Sequence, residues 1–206
     1  MAFNRTLEEQ LYSWKNSTNR KPLVLRGARQ VGKTTLIKQF SNSYQYKIFL
    51  NLEKKADIRF FEIYDDVKNI TEALFLENNI SSKSIKDCLL FIDEIQESSN
   101  AIQFLRYFYE EVPELHVIAA GSLLEFAMKK VKSFPVGRIE YLYLHPLNFL
   151  EYLKAMGNTL LLEKINTVPI PPVAHLALLK AFNQYVIIGG MPEIIKVISE
   201  NQRISV

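Results

Sequence analysis

The sequence predicts an α/β fold: a parallel sheet with helices on both faces, followed by an all-helical segment. Three observations carry this expectation. A short apolar run at 22–26 ends in glycine and gives way to an apolar pattern of helical period. A second run, Cys88-Leu89-Leu90-Phe91-Ile92, is apolar throughout, as a strand covered on both faces is. Strand-like and helix-like segments alternate over the first 145 residues, the pattern of βαβ units.

Leu7, Leu11 and Trp14 recur at helical spacing, so residues 5–16 form an amphipathic helix ahead of the sheet. Residues 22–26 are the first strand, and Leu36, Ile37 and Phe40 mark the helix after the glycine loop. Residues 46–52 read as the second strand, and charged periodic segments at 55–65 and 69–79 as helices. After the third strand at 88–92, Ser98 or Ser99 caps a helix whose Ile102, Leu105 and Phe108 share a face. Residues 115–120 and 139–144 complete the sheet. From Pro146 the pattern is helical, broken by a loop holding Pro169, Pro171 and Pro172. This predicts a core at 1–145 and a helical subdomain at 146–206.

The 48% hydrophobic and 23% charged content of these 206 residues excludes a disordered chain. The net charge of +3 neither demands nor excludes a nucleic-acid partner. One cysteine, Cys88, rules out an internal disulfide framework and suits a reducing cytoplasm. No apolar run approaches the roughly 20 residues of a membrane span, and the N-terminus has no secretory core. His116, His145 and His175 lack metal-ligand spacing, so no structural zinc is expected.

Gly27-Ala28-Arg29-Gln30-Val31-Gly32-Lys33-Thr34 matches the phosphate-binding pattern G-x-x-x-x-G-K-[ST]. Its glycines let the backbone wrap an anion, so that successive N–H groups and a helix N-terminus point at phosphate oxygens. Lys33 supplies a mobile positive charge for the β and γ phosphates, and the Thr34 hydroxyl suits Mg²⁺. Thr35, next on the helix, counts with the nucleotide-binding residues. The third strand ends in Asp93-Glu94, the Walker B arrangement: Asp93 holds magnesium through water and Glu94 polarises the attacking water.

Two further positions stay open between a role and a bland alternative. Ser122, after the fourth strand, either senses the γ-phosphate or caps a helix beginning near Leu123. Arg138, before the fifth strand, either stabilises charge on the transferring phosphoryl group, in its own subunit or a neighbour's, or is simply solvated. Six of the seven glycines (Gly27, Gly32, Gly121, Gly137, Gly189, Gly190) fall at such positions, and Gly157 lies in a plain loop. Lys129, Lys130 and Lys132 read as a solvated helix face.

The stretches RGARQVGKTTLI, FIDEIQ, VIAAGSLLEFAMK, SFPVGR, YLYLHPLNFLEYL and IIGGMPEI together resemble prokaryotic AAA-type ATPases related to the archaeal ATPase and STAND groups. The resemblance implies a sheet ordered 5-1-4-3-2, a helical lid, and ATP or ADP with Mg²⁺ as ligands. Gly190-Met191-Pro192 matches a lid motif whose proline approaches the nucleotide, which implies that role for Pro192. A helix stop at the glycines, with a proline opening the next helix, fits the same residues. Members of the family continue into a domain similar to restriction-endonuclease-like nucleases. Val206 falls in a helical stretch, so the expectation is a truncated piece, to which that domain's DNA activity does not transfer.

The function so implied is a Mg²⁺-dependent ATPase acting as a nucleotide-state switch. The alternative is a nucleotide-gated module that hydrolyses little and recruits a protein or DNA partner. Self-association and a partner engaged through the absent domain are expected with either, a membrane with neither. A kinase lacks any acceptor motif.

Overall fold

The computed structural model describes residues 3–122 and 137–204. It divides into two compact units: Glu9–Ala28 with Lys33–Leu144, and Met1–Glu8 with Arg29–Gly32 and His145–Val206. The N-terminal residues and the middle of the glycine loop thus count with the helical unit, whereas chain order alone assigns both to the core.

In the first unit, β1 (Leu23–Arg26), β2 (Tyr46–Asn51), β3 (Cys88–Asp93), β4 (His116–Ala120) and β5 (Glu140–Tyr143) form one sheet ordered β2-β3-β4-β1-β5. Every pairing is parallel: Leu23 faces Ile118 on one side and Glu140 on the other, and Phe91 joins Phe49 to Ile118. This is the 5-1-4-3-2 order expected above. Burial follows position in the sheet. The central β3 and β4 are buried almost throughout, whereas the edge strand β2 alternates between buried and exposed residues.

Residues two apart on a strand share a face. Val24, Leu90, Ile92, Val117 and Ala119 join one core with Ile70, Leu74, Ile102, Leu105 and Phe108. These come from α5 (Val67–Glu77) and α6 (Ser99–Glu111). The alternate set, Leu23, Leu25, Leu89, Phe91 and Ile118, is equally buried, as are Leu11 and Trp14 of α1 (Leu7–Lys15) and Leu36, Ile37 and Phe40 of α2 (Lys33–Phe40). Each such Leu, Ile or Phe contributes about 1.5–3 kcal/mol by leaving water.

Local signals set the helix ends. Ser98, rather than Ser99, caps α6 by accepting from Ala101 N. Asp66 accepts from Asn69 N at 2.8 Å and starts α5 at Val67, two residues before the periodicity suggests. The helix expected over 55–65 is two single turns, α3 (Lys55–Ile58) and α4 (Phe60–Ile63). Adjacent Phe60 and Phe61 are both buried, a wider apolar arc than one helical stripe presents, and at Arg59 the ladder stretches to 3.4 Å.

The second unit holds α7 (Phe149–Ala155), α8 (Thr159–Lys164), α9 (Pro172–Ile188) and α10 (Pro192–Ile204). Leu147, Tyr152, Leu153, Leu178, Ala181 and Ile195 form its core. Tyr185 donates from its hydroxyl to Leu147 O at 2.9 Å. Among the described residues no helix is long and apolar enough to cross a membrane.

Candidate functional site

The loop at 27–34 leaves the C-terminal end of β1 and enters α2. Its backbone takes left-handed values at Gln30 (φ 65°) and Gly32 (φ 94°), as a chain folding its N–H groups inward requires. Ala28, Arg29, Gln30 and Thr35 are exposed, while Val31 is fully buried and anchors the loop. Lys33, 7% exposed, donates from Nζ to the carbonyls of Gly27 and Ala28, both at 3.0 Å. Burial pushes its ammonium below the usual range, and the carboxylates of Glu94 and Asp93 pull it partly back.

Thr34 and Asp93 meet directly. The Thr34 hydroxyl donates to Asp93 Oδ2 at 2.7 Å, placing a neutral and an anionic oxygen side by side. Burial raises the Asp93 pKa, opposed by the Thr34 hydrogen bond and reinforced by the neighbouring Glu94 charge. Two such oxygens suit Mg²⁺, which takes one or two carboxylates and completes its shell with water and phosphate. No three of His, Cys, Asp and Glu gather around a common point among the described residues, and substrate-bound magnesium needs no such cluster.

Glu94 has a left-handed backbone (φ 52°, ψ 45°), uncommon outside glycine and characteristic of strained functional positions. Its N–H donates to Asp93 Oδ1 at 3.1 Å, and its Oε2 accepts from Gln96 Nε2 at 2.6 Å. Strand β3 thereby delivers both acids to the same edge of the sheet as the loop after β1.

Ser122 follows β4 on this edge. The helix it was expected to cap, and Lys129, Lys130 and Lys132, lie outside the described residues. Arg138, which the sequence leaves open between a role in its own subunit, a role in a neighbour's and plain solvation, is not on this edge. It precedes β5, whose Glu140 N bonds Pro22 O at the start of β1, so it stands at the N-terminal end of the strands. At about 3.3 Å per residue, the length of β1 puts it roughly 16 Å from the phosphate loop. There its Nε donates to Glu110 at 2.9 Å, and its guanidinium lies 5.9 Å from the Tyr109 ring centre. Arg106 first, and Arg138 with it, hold the Glu110 carboxyl below its usual range through hydrogen bonds.

In the helical unit, Pro192 opens α10, and its Cγ lies 3.9 Å from where a Cβ on Gly32 would stand. Pro192 thus starts a helix and lies beside Gly32. Leu147 N donates to Gly190 O at 2.7 Å, fixing the turn before it.

Sequence reasoning missed Arg5 and Glu151. The Arg5 guanidinium is buried and donates to Val31 O at 3.0 Å and to His145 O, while its Nε pairs with Glu151 at 3.2 Å. Glu151 also accepts from Thr6 N at 2.7 Å and closes a capping box with Asn148 at the start of α7. The Asn148-x-x-Glu151 spacing was a readable signal for that box. Nothing in the sequence marks Arg5.

A family model described as an AAA domain matches residues 19–153. The uncharacterized protein MJ1544 of Methanocaldococcus jannaschii is 30% identical over 181 residues, covering 86% of this chain and 37% of its own length. The Walker-type ATPase paby2304 of Pyrococcus abyssi superposes with a TM-score of 0.56 at 18% identity, covering 94% of this chain and 65% of that one. The Drosophila ORC structure bound to DNA gives 0.51 at 19% identity, covering 73% and 44%. The chain therefore spans little more than a third of its curated relative, and the two structures share its fold.

Proposed function

The chain belongs to the prokaryotic AAA-type P-loop ATPase family, and on that premise we propose that it binds ATP with Mg²⁺, hydrolyses it, and switches conformation with nucleotide state. The observation that carries this reading is the 2.7 Å contact between Thr34 and Asp93, with Lys33 beside it in the loop and Glu94 next in the chain.

The backbone N–H groups of 27–34 and the first turn of α2 receive the phosphates. Lys33 exchanges its bonds to Gly27 O and Ala28 O for the β and γ oxygens, offsetting the cost of its burial. Magnesium, when bound, neutralises charge developing between the β and γ phosphates. Thr34 and Asp93 would hold it, Asp93 through water. Glu94 accepts a proton from the attacking water, which its strained backbone and its contact with Gln96 aim. Pro192, beside Gly32, approaches the nucleotide. Ser122 senses the γ-phosphate from the end of β4. Arg138 is left one catalytic role, as a residue supplied to a neighbouring subunit.

A second reading, a nucleotide-gated module recruiting DNA or a protein partner, draws on the fold shared with an ORC assembly that binds DNA. Retention of ADP with negligible turnover would favour it. A single cysteine implies a reducing compartment for either, and we infer the cytoplasm.

Calorimetry with Mg·ATP on the parent and on Lys33→Ala tests binding: the variant loses it, and equal affinity would sink the assignment. Glu94→Gln then separates binding from chemistry. It keeps nucleotide affinity and loses about 10²–10⁴-fold in turnover.

A further inference from the structure

Gln96 emerges from the fold with a geometry that its place in the sequence does not suggest. It lies in the short 3-10 turn Ile95–Glu97 after β3, and its Nε2 donates to Glu94 Oε2 at 2.6 Å. Its Oε1 is buried and accepts no hydrogen bond among the described residues. A buried acceptor without a donor costs free energy, so the amide is held in this orientation by something other than its own satisfaction.

The other constraint comes from β4. A Cβ at Gly121, the residue after that strand, would collide with Gln96 Oε1 and stand 3.5 Å from its Cδ. A side chain at Gly121 would have to displace the amide of Gln96, the end of a flexible side chain, from the space it fills. The amide is thus wedged between the end of the fourth strand and the carboxylate of Glu94.

We propose that Gln96 is a positioning residue for the Glu94 carboxylate, and that Gly121 forms the wall against which it rests. The inference rests on the reading of Glu94 as the group that activates water. A carboxylate on a strained backbone has several side-chain rotamers open to it. A neutral amide bound to Oε2 selects one of them without discharging the group, and leaves Oε1 to accept the proton of water. Because the wall is the residue before Ser122, any shift at the tip of β4 reaches Glu94 through a single side chain. This gives the end of β4 a physical means of adjusting the base without touching it.

The test uses the full chain and four variants: Gln96→Ala, Glu94→Gln, the two combined, and Gly121→Ala. Gln96→Ala leaves the dissociation constant for Mg·ATP within about twofold and lowers kcat roughly 10- to 100-fold, the loss expected of one hydrogen bond to a charged group. On the Glu94→Gln background the same change has no further effect, because the residue acts through Glu94. Gly121→Ala lowers kcat like Gln96→Ala, by displacing the amide. A kcat unchanged or raised in Gln96→Ala overturns the proposal, as does a loss that persists in full on the Glu94→Gln background.

A second measurement needs no turnover. The Gln96 side-chain amide signals in a ¹⁵N–¹H spectrum, assigned by their disappearance in Gln96→Ala, shift when Glu94→Gln removes the charge they face. If they do not move, the contact is absent in solution and the proposal falls. Failure of the functional reading looks different: parent and Glu94→Gln then hydrolyse ATP alike, or not at all, while the amide signals still respond to Glu94.

Discussion

Thr34 and Asp93, 59 residues apart in the chain, share a hydrogen bond of 2.7 Å. The contact joins the first turn of the helix after β1 to the last residue of β3, across the intervening β4. Asp93→Asn keeps an acceptor for Thr34 and removes the charge, so nucleotide still binds but loses its dependence on metal. The affinity gained on adding Mg²⁺ should drop about 10- to 100-fold, as for other residues that hold a metal through its bound water. Titrating nucleotide with and without EDTA reads this, and an undiminished magnesium effect would remove Asp93 from the metal site.

Arg138 sits at the far end of the strands from that pair, in contact with Glu110. Arg138→Ala should therefore leave nucleotide affinity and single-chain turnover unchanged. If the residue serves a neighbour, specific activity rises with protein concentration, and mixing Arg138→Ala with Glu94→Gln restores part of the lost rate. An arginine so supplied can contribute 10³–10⁵-fold. Activity proportional to concentration, without rescue on mixing, would leave Arg138 a solvated surface residue.

The buried Arg5–Glu151 pair binds the N-terminal segment to the start of α7, with side chains only 6% and 5% exposed. Removing one partner strands the other charge away from water. Arg5→Ala should lower unfolding stability by about 3–5 kcal/mol. Urea titration measures the loss, and a change below about 1 kcal/mol would mean the pair is solvated in practice.

His116 gives the fold an acid sensitivity. Burial, reinforced by the positive charges of Arg20 and Lys15, lowers its pKa from 6.5 to about 3, and its Nδ1 shares a 2.6 Å hydrogen bond with the Tyr44 hydroxyl. Above pH 6.5 the ring is neutral in both folded and unfolded chains and contributes no pH dependence. As pH falls below that value the unfolded chain gains a proton that the fold refuses. Stability then declines by up to about 1.4 kcal/mol per pH unit from this group. His116→Gln keeps a hydrogen-bonding partner for Tyr44 and should flatten the decline below pH 6.5 in urea titrations. Equal slopes would show that the ring protonates within the fold.

The candidate site was legible in the sequence wherever it is local. The loop at 27–34 and the acids after β3 are contiguous, and their roles depend on one strand end each. The central strands were legible because burial on both faces demands apolar residues throughout, as in Cys88-Leu89-Leu90-Phe91-Ile92. Contacts closed by the fold were not. Arg5 meets Glu151 across most of the chain, and Gln96 meets Gly121 from another strand; the residues themselves are ordinary polar ones. Arg138 is a different case, because its signal was present. In a parallel sheet, residues that precede a strand lie opposite the loops that follow strands, so its place before β5 already set it apart from the phosphate loop.

The position of β1 between β4 and β5 has a consequence for the order in which the molecule comes into being. Both hydrogen-bonding neighbours of Leu23 are made roughly a hundred residues after it. At about 5–20 residues per second, β1 leaves the ribosome and waits roughly 5–20 s with both flanks bare. Bare strand edges recruit unsuitable partners, and the loop that β1 supports has nothing to brace it in the meantime. A nascent chain halted before residue 116 would carry the whole phosphate-binding motif and both acids while β1 still lacked both of its neighbours.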